Sequence, residues 1–283
     1  MKKLNFIIKC GLALLLLSFY SCESWLNVTP SDRLSEEMLF NDREGFVKAL
    51  NGVYIELNTN ELYGRNLTAG ALDVMGQYYS VASSSHAFYN YGGLVYTGND
   101  EKALFDNMWQ KCYAVIACCN TIIEKCDENK AGLSPVWRGS IKGEALALRA
   151  MLHFDMLRLF GPLASELDKE SIPYQTNSDQ TVTPLLSGSE VVGLILDDLK
   201  NAVGLLKDTD PYFVEEEFSD TDLNYRRFRM NYFAAKGLMA RVQLWGGDKE
   251  KAAATAKEVI AEGQAEGAEF FPFVTNSEAT SSN

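Results

Sequence analysis

Three groups of residues in this 283-residue chain have the types and spacing to do chemistry: cysteines repeating at seven, two histidines, and tyrosines crowded into one polar segment. Cys112, Cys119 and Cys126 would share one face of a helix. Side chains two turns apart are too distant for a disulfide. With only His86 and His153 in the chain and no C-x-x-C pair, the set also lacks the usual ligands of zinc. Cys112, Cys119 and Cys126 are therefore expected to pack as core thiols, His153 as a hydrogen-bonded core histidine, and no metal or other cofactor is expected. Glu215-Glu216-Glu217 reads as a solvated acidic run. The patterns of a nucleophile elbow, a phosphate loop, a dinucleotide fold or an H-E-x-x-H zinc helix do not occur, so no catalytic residue is named. Spacing along the chain leaves a glycosidase carboxylate pair undecided.

The tyrosines are the informative group. Tyr78, Tyr79, Phe88, Tyr89, Tyr91 and Tyr96 fall within one short segment, against about two aromatics for a stretch of that length at the chain's 11% average. Ser, Asn and Gly surround them. Tyrosine rings flanked by Asn or Gln donors suit a neutral sugar, which offers C–H faces and a rim of hydroxyls. Tyr78, Tyr79, Tyr89, Tyr91 and Tyr96 are the candidate ligand contacts. A packed loop or a protein interface, where tyrosine is also enriched, would give the same composition.

The chain carries 26 Lys+Arg against 38 Asp+Glu, a net charge of −12. That balance excludes an electrostatic footprint for nucleic acid, and no local basic patch restores one. Its N-terminus reads as an address. Met1-Lys2-Lys3 is basic, Cys10–Tyr20 is apolar yet too short for a bilayer, which needs about 20 residues, and Ser21-Cys22 follows. This is the layout of a bacterial lipoprotein signal, with residues 1–21 removed and Cys22 lipidated. Phe19 and Tyr20 depart from the usual aliphatic and small residues there. Losing Lys2, Lys3 and Lys9 leaves the remainder three charges more negative.

Helices must position these residues. After a short tether, 22–34, apolar residues recur at three and four through Phe46, Ala49, Leu50, Val53 and Leu57, with Asn41 and Glu44 at capping-box spacing. Phe105, Trp109, Cys112, Ile116, Cys119, Ile123 and Cys126 mark a second helix whose wide stripe requires neighbours on both sides. Val136–Phe160 is a third, ended by Gly161-Pro162. Gly143, Ala145, Ala147 and Ala150 let it approach a partner closely, and the short turn before it makes the pair an antiparallel hairpin. Ser187 and Glu190 open a fourth helix ending near Lys207. Residues 208–229 read as a charged, aromatic loop, 231–245 as a fifth helix, and Asp248 caps a sixth running to Gly263. The expected fold is all-α: irregular, tetratricopeptide-like helical hairpins with long loops and little β. The one stretch with any strand character lies between Tyr78 and Tyr96. Leu148-Arg149-Ala150 and Ala240-Arg241-Val242 carry a loosely repeated signature.

In this order the pieces resemble the N-terminal portion of the SusD/RagB family, surface lipoproteins of Bacteroidetes nutrient uptake. The resemblance rests on CESWLNVTP at the lipidation cysteine, Leu39-Phe40 with GFVKALNGVY, MWQKCYAVIACCNTII, GEALALRAMLHFDMLRLFG and YFAAKGLMARVQLWGGD. Asn27 stands where the family favours Asp, and Gly161-Pro162 lacks the intervening residue or two. The resemblance implies a helical repeat domain over 35–275, shorter than is usual for the family, followed by a disordered polar tail, 276–283. It implies no enzyme. The expected activity is binding of an oligosaccharide, or alternatively a peptide, at the outer-membrane surface and its delivery to a SusC-like TonB-dependent transporter. Rival expectations are a truncated module that docks on the transporter without ligand, and a glycoside hydrolase on an all-helical scaffold.

Overall fold

The computed structural model describes residues 36–179, 181–214, 217–264, Phe270 and Ser277. The chain divides into two units at Leu39–Phe40; of the first, only the helical turn α1 (Glu36–Leu39) falls among the described residues. The signal, the tether with Cys22, and the 276–283 tail apart from Ser277 lie outside them.

The second unit is built of antiparallel helical hairpins. Helix α2 (Arg43–Leu57) is capped by Asp42, whose carboxylate accepts from Gly45 N at 2.9 Å, one residue later than the spacing of Asn41 and Glu44 suggested. A short helical turn, α3 (Ala71–Met75), and another, α4 (Tyr89–Gly92), precede the long helix α5 (Asn99–Glu128). Asn129 ends α5 in the left-handed conformation, φ 44°, and its side-chain oxygen accepts from Leu133 N, closing the turn. Ser134 then caps α6 (Pro135–Phe160), with proline at a first-turn position that needs no N–H. Contacts between Trp109 and Phe160, Asn120 and Arg149, and Asp127 and Lys142 descend one helix as they climb the other, so α5 and α6 are antiparallel as expected.

A hairpin of β1 (Glu170–Pro173) and β2 (Leu185–Ser187) links α6 to α7 (Gly188–Thr209), pairing Glu170 with Ser187 and Pro173 with Leu185. These are the strands among the described residues. The 78–96 segment has none; its tyrosines sit in and around the helical turn α4. The Ser187–Glu190 capping box that opens α7 is formed in both directions. Glycines set the distance between α6 and α7. A Cβ at Gly143 would lie 2.8 Å from Leu206 Cγ, and one at Gly139 2.6 Å from Thr209 Cγ2. The expected loop after α7 contains a helix, α8 (Asp220–Tyr225), and a 3-10 turn, Arg226–Phe228. The last hairpin, α9 (Tyr232–Trp245) and α10 (Lys249–Gly263), starts at the Asn231 cap and turns at Gly247, φ 92°, before the Asp248 cap. The architecture is all-α, and α6 is buried on nearly every face.

The cysteine stripe packs inside this core: Cys112, Cys119 and Cys126 are fully buried, whereas Cys118, one position off the stripe, is exposed. Burial holds the Cys119 thiol far above its ordinary pKa and the Cys126 thiol at about 12.

Candidate functional site

The aromatic segment is held by a clamp at each end. Gln77, φ 62°, and Leu94, φ 56°, are non-glycine residues in the left-handed region, which is tolerated where surrounding contacts fix the backbone. The Gln77 amide donates to Gly92 O at 3.0 Å and Val74 O at 3.3 Å, tying the end of α3 to the end of α4. Beneath them, Tyr91 is 2% exposed and meets the rings of Phe88, Tyr96 and Phe105, while Phe105 and Trp109 continue the cluster to Phe160. Burial, then the Glu101 and Asp100 carboxylates, raises the Tyr91 phenol further, so it stays protonated.

This arrangement sorts the five candidate tyrosines. Tyr91 is core and is not available as a stacking surface; with the half-buried Tyr96 against it, it serves as the foundation. Tyr78, Tyr79 and Tyr89 are 81%, 52% and 42% exposed. Tyr79 forms a shared wall of two shallow clefts. One, of about 490 Å³, is lined by Val74, Ser80, Val81, His86 and Phe88 among others. The second, of about 400 Å³, is lined by Gln77, Ser80, Tyr89, Asn90, Gly92 and Val95 among others. His86 Nδ1 accepts from Phe88 N at 3.1 Å, leaving Nε2–H to face outward as a donor when the ring is neutral. Gln77, Ser80, His86 and Asn90 were not singled out by sequence, although the expectation of Asn or Gln beside the rings pointed to their types. The roles differ, because Gln77 directs both of its N–H groups, and Asn90 one of its two, to the protein rather than outward. Arg65 lies over the Phe88 ring and donates to Asn66.

The profile of a family described as "Starch-binding associating with outer membrane", SusD-like, matches residues 24–244. The chain belongs to the SusD-like family. Its relatives include SusD-like protein P2 of Formosa agariphila, 25% identical over 91% of this chain and 46% of that one, and a SusD-like protein of Bacteroides ovatus, 30% identical over 50% and 23%. This SusD-like chain thus spans less than half the length of the curated relatives it matches. Among solved structures, a SusD-like carbohydrate binding protein from Bacteroides vulgatus aligns over 84% of this chain and 47% of its own, with a TM-score of 0.64 at 23% identity. A laminarin binding SusD-like protein aligns over 77% and 43%, with a TM-score of 0.57 at 17% identity. Both likenesses establish the fold. Among the described residues of the SusD-like chain, no helix is long and apolar enough to cross a membrane.

The remaining candidates for chemistry are scaffold. Arg149 grips Asp198 with two bonds of 2.7 Å and donates to Asn120, while Tyr174 donates to the same carboxylate at 2.5 Å. His153, wholly buried and stacked on Tyr174 at 4.0 Å, accepts from Gln175 N at Nε2 and faces the Arg149 carbonyl with Nδ1. A backbone N–H can only donate, so the ring is neutral with its proton on Nδ1. Desolvation, reinforced by the Arg149 charge, lowers its pKa to about 3. Glu144 joins Arg226, Arg229 and the Tyr54 hydroxyl, and Arg226 also holds Asp210 at 2.5 and 3.0 Å. The repeated arginine signature does not carry over to the structure: Arg149 is buried and paired, Arg241 exposed. Of the Glu215–Glu217 run, Glu217 accepts from Ser134, and Glu215 and Glu216 lie outside the described residues.

Proposed function

We propose that this chain is a glycan-binding protein of the outer-membrane surface, held by a lipid on Cys22 after removal of residues 1–21, that passes oligosaccharide to a SusC-like TonB-dependent transporter. The observation that carries the binding reading is the pair of exposed rings, Tyr79 and Tyr89, that line two clefts edged with hydroxyl and amide groups, with the exposed Tyr78 next to Tyr79 in the chain. The Gln77 clamp and the buried Tyr91 fix the backbone that carries these rings, which limits the ordering cost of binding to the side chains. Family membership supports the compartment and partner, and the carbohydrate named for a structural relative supports the ligand class. The protein acts by binding; bond cleavage has no part in the proposal. The residues from 22 to 34 act as tether, 35–275 as the SusD-like body and 276–283 as a tail.

Calorimetry of the full chain against a panel of neutral oligosaccharides tests this reading. Saturable heat supports it. Absence of heat across the panel, with retained capture of the transporter, would favour a docking module that binds no ligand. Release of reducing ends from a polysaccharide would favour a hydrolase. For the anchor, Cys22→Ala is expected to shift the protein from the membrane to the aqueous fraction, and unchanged partitioning refutes lipidation there.

A further inference from the structure

The second cleft has an unequal supply of donors and acceptors. Asn90 Nδ2 donates to Glu101 Oε1 at 2.7 Å, and Glu101 is only 5% exposed. Its carboxylate is seated against the backbone at Gly98, where an added Cβ would fall 2.0 Å from Oε2. A carboxylate accepts only, so the Asn90 amide can meet it in one orientation, with Oδ1 turned to the opposite side. Gln77 has both N–H groups directed at the Gly92 and Val74 carbonyls, which fixes its Oε1 in the same way. The backbone N–H groups of Tyr89, Gly92, Gly93 and Val95 are bonded within the segment to His86 O, Phe88 O, Tyr89 O and Asn90 O. Among the described lining residues there is no lysine, arginine or histidine. The side-chain donors left to a ligand are the hydroxyls of Tyr79, Ser80 and Tyr89 and the second hydrogen of the Asn90 amide.

From this inventory we infer that Glu101 is a positioning residue: by orienting Asn90 it sets the second cleft to accept hydrogen bonds from the hydroxyls of neutral glycans and to reject uronate-bearing ones. The inference rests on the glycan-binding reading above and adds the substrate class. A sugar hydroxyl can donate to Asn90 Oδ1 and Gln77 Oε1. A uronate carboxylate can only accept: it could take hydrogen bonds from the cleft's hydroxyls and the second Asn90 hydrogen, but facing Asn90 Oδ1 and Gln77 Oε1 it would meet two acceptors, with no cation among the lining residues to offset the Glu101 carboxylate directly behind Asn90. The nearby Arg65 lies on the first cleft's Phe88.

The test is the ratio of affinities of the full chain for a neutral gluco-oligosaccharide and an oligogalacturonate of equal length, measured by calorimetry. Wild type is expected to favour the neutral ligand by at least about tenfold, the worth of one hydrogen bond to a charged group. In Glu101→Gln the new amide can donate to Asn90 Oδ1, letting Asn90 turn its N–H groups outward, and the ratio is expected to fall about tenfold. A merely structural role would lower both affinities together and leave the ratio unmoved. Asn90→Ala, on an exposed side chain, provides a second reading if Glu101→Gln fails to fold: it too should bring the ratio toward one. A ratio unchanged in the folded variants, with wild type still binding glycans, overturns the inference and leaves the proposed function standing. Absence of binding to either ligand by wild type overturns both.

Discussion

His153 makes the stability of this fold depend on acid in a way that one substitution can isolate. In the folded state its pKa is about 3, against 6.5 for an ordinary histidine, because burial in the core and the nearby Arg149 charge together outweigh the opposing bond to the Arg149 carbonyl. Above pH 6.5 neither folded nor unfolded chain protonates it, and its packing and hydrogen bonds contribute in full. As pH falls below that value the unfolded state takes up a proton that the folded state refuses, so stability declines by about 1.4 kcal/mol per pH unit. The decline continues until the folded pKa is reached, amounting to about 3 kcal/mol by pH 4. Carboxylates also titrate in this range, so the comparison is with His153→Gln, whose side-chain oxygen can still accept from Gln175 N. Urea unfolding at a series of pH values should show wild type the more stable at pH 8, with the gap closing at the stated slope below pH 6.5. A gap constant to within about 0.5 kcal/mol from pH 7 to 4.5 would refute the argument, since it would mean that His153 binds its proton equally in both states.

Arg149→Met should leave Asp198 buried with Tyr174 as its remaining side-chain donor and cost about 3–5 kcal/mol, lowering the thermal midpoint by roughly 10 °C. Adding Asp198→Leu should recover part of that loss, so that the double variant loses less than the sum of the singles in a double-mutant cycle. Gly237 and Gly143 both lie within helices, but only Gly143 faces a close neighbour. Gly237→Ala is expected to stabilise by about 0.5–1 kcal/mol, and Gly143→Ala to destabilise by about 1–2 kcal/mol in the same urea titration. Tyr79→Ala should weaken glycan binding about tenfold with stability changed by less than about 0.5 kcal/mol, while Tyr91→Ala should cost about 3–5 kcal/mol in unfolding experiments.

What the sequence revealed follows from how far each signal reaches. Helix positions were legible because a 3.6-residue period and its caps are local: Ser187 with Glu190, Asn231 and Asp248 all cap where their types imply. Asn41 and Asp42 are both competent caps, and only the backbone path decides between them. The close approach of α6 and α7 was signalled by Gly143, though its partners Leu206 and Ala202 could be found only in space. The 78–96 segment resisted reading because its turn depends on Gln77 and Leu94 adopting positive φ, which no glycine announced. For the same reason Tyr91 and Tyr89, two residues apart and identical in type, could not be sorted into foundation and surface. Cys118 shows the opposite case: a residue one step off a stripe is already on another face, and the period itself predicts its exposure.

The Glu144 network closes over large separations. Arg226 and Arg229 reach Glu144 across 82 and 85 residues, while Arg229 bonds Asn51 and Met230 N bonds the Tyr54 hydroxyl across 178 and 176. A chain that emerges from a ribosome or a translocation pore N-terminus first therefore presents α2 and α6 long before their cations exist. Until residue 229 arrives, Glu144 must stay hydrated and the α2–α6 contact must stay open, because a lone carboxylate in that seam would be more costly than the packing it permits. The seam acts as a latch set by the order of synthesis: the first hairpins wait in a loosened state, and the arrival of a short arginine-bearing turn lets them lock.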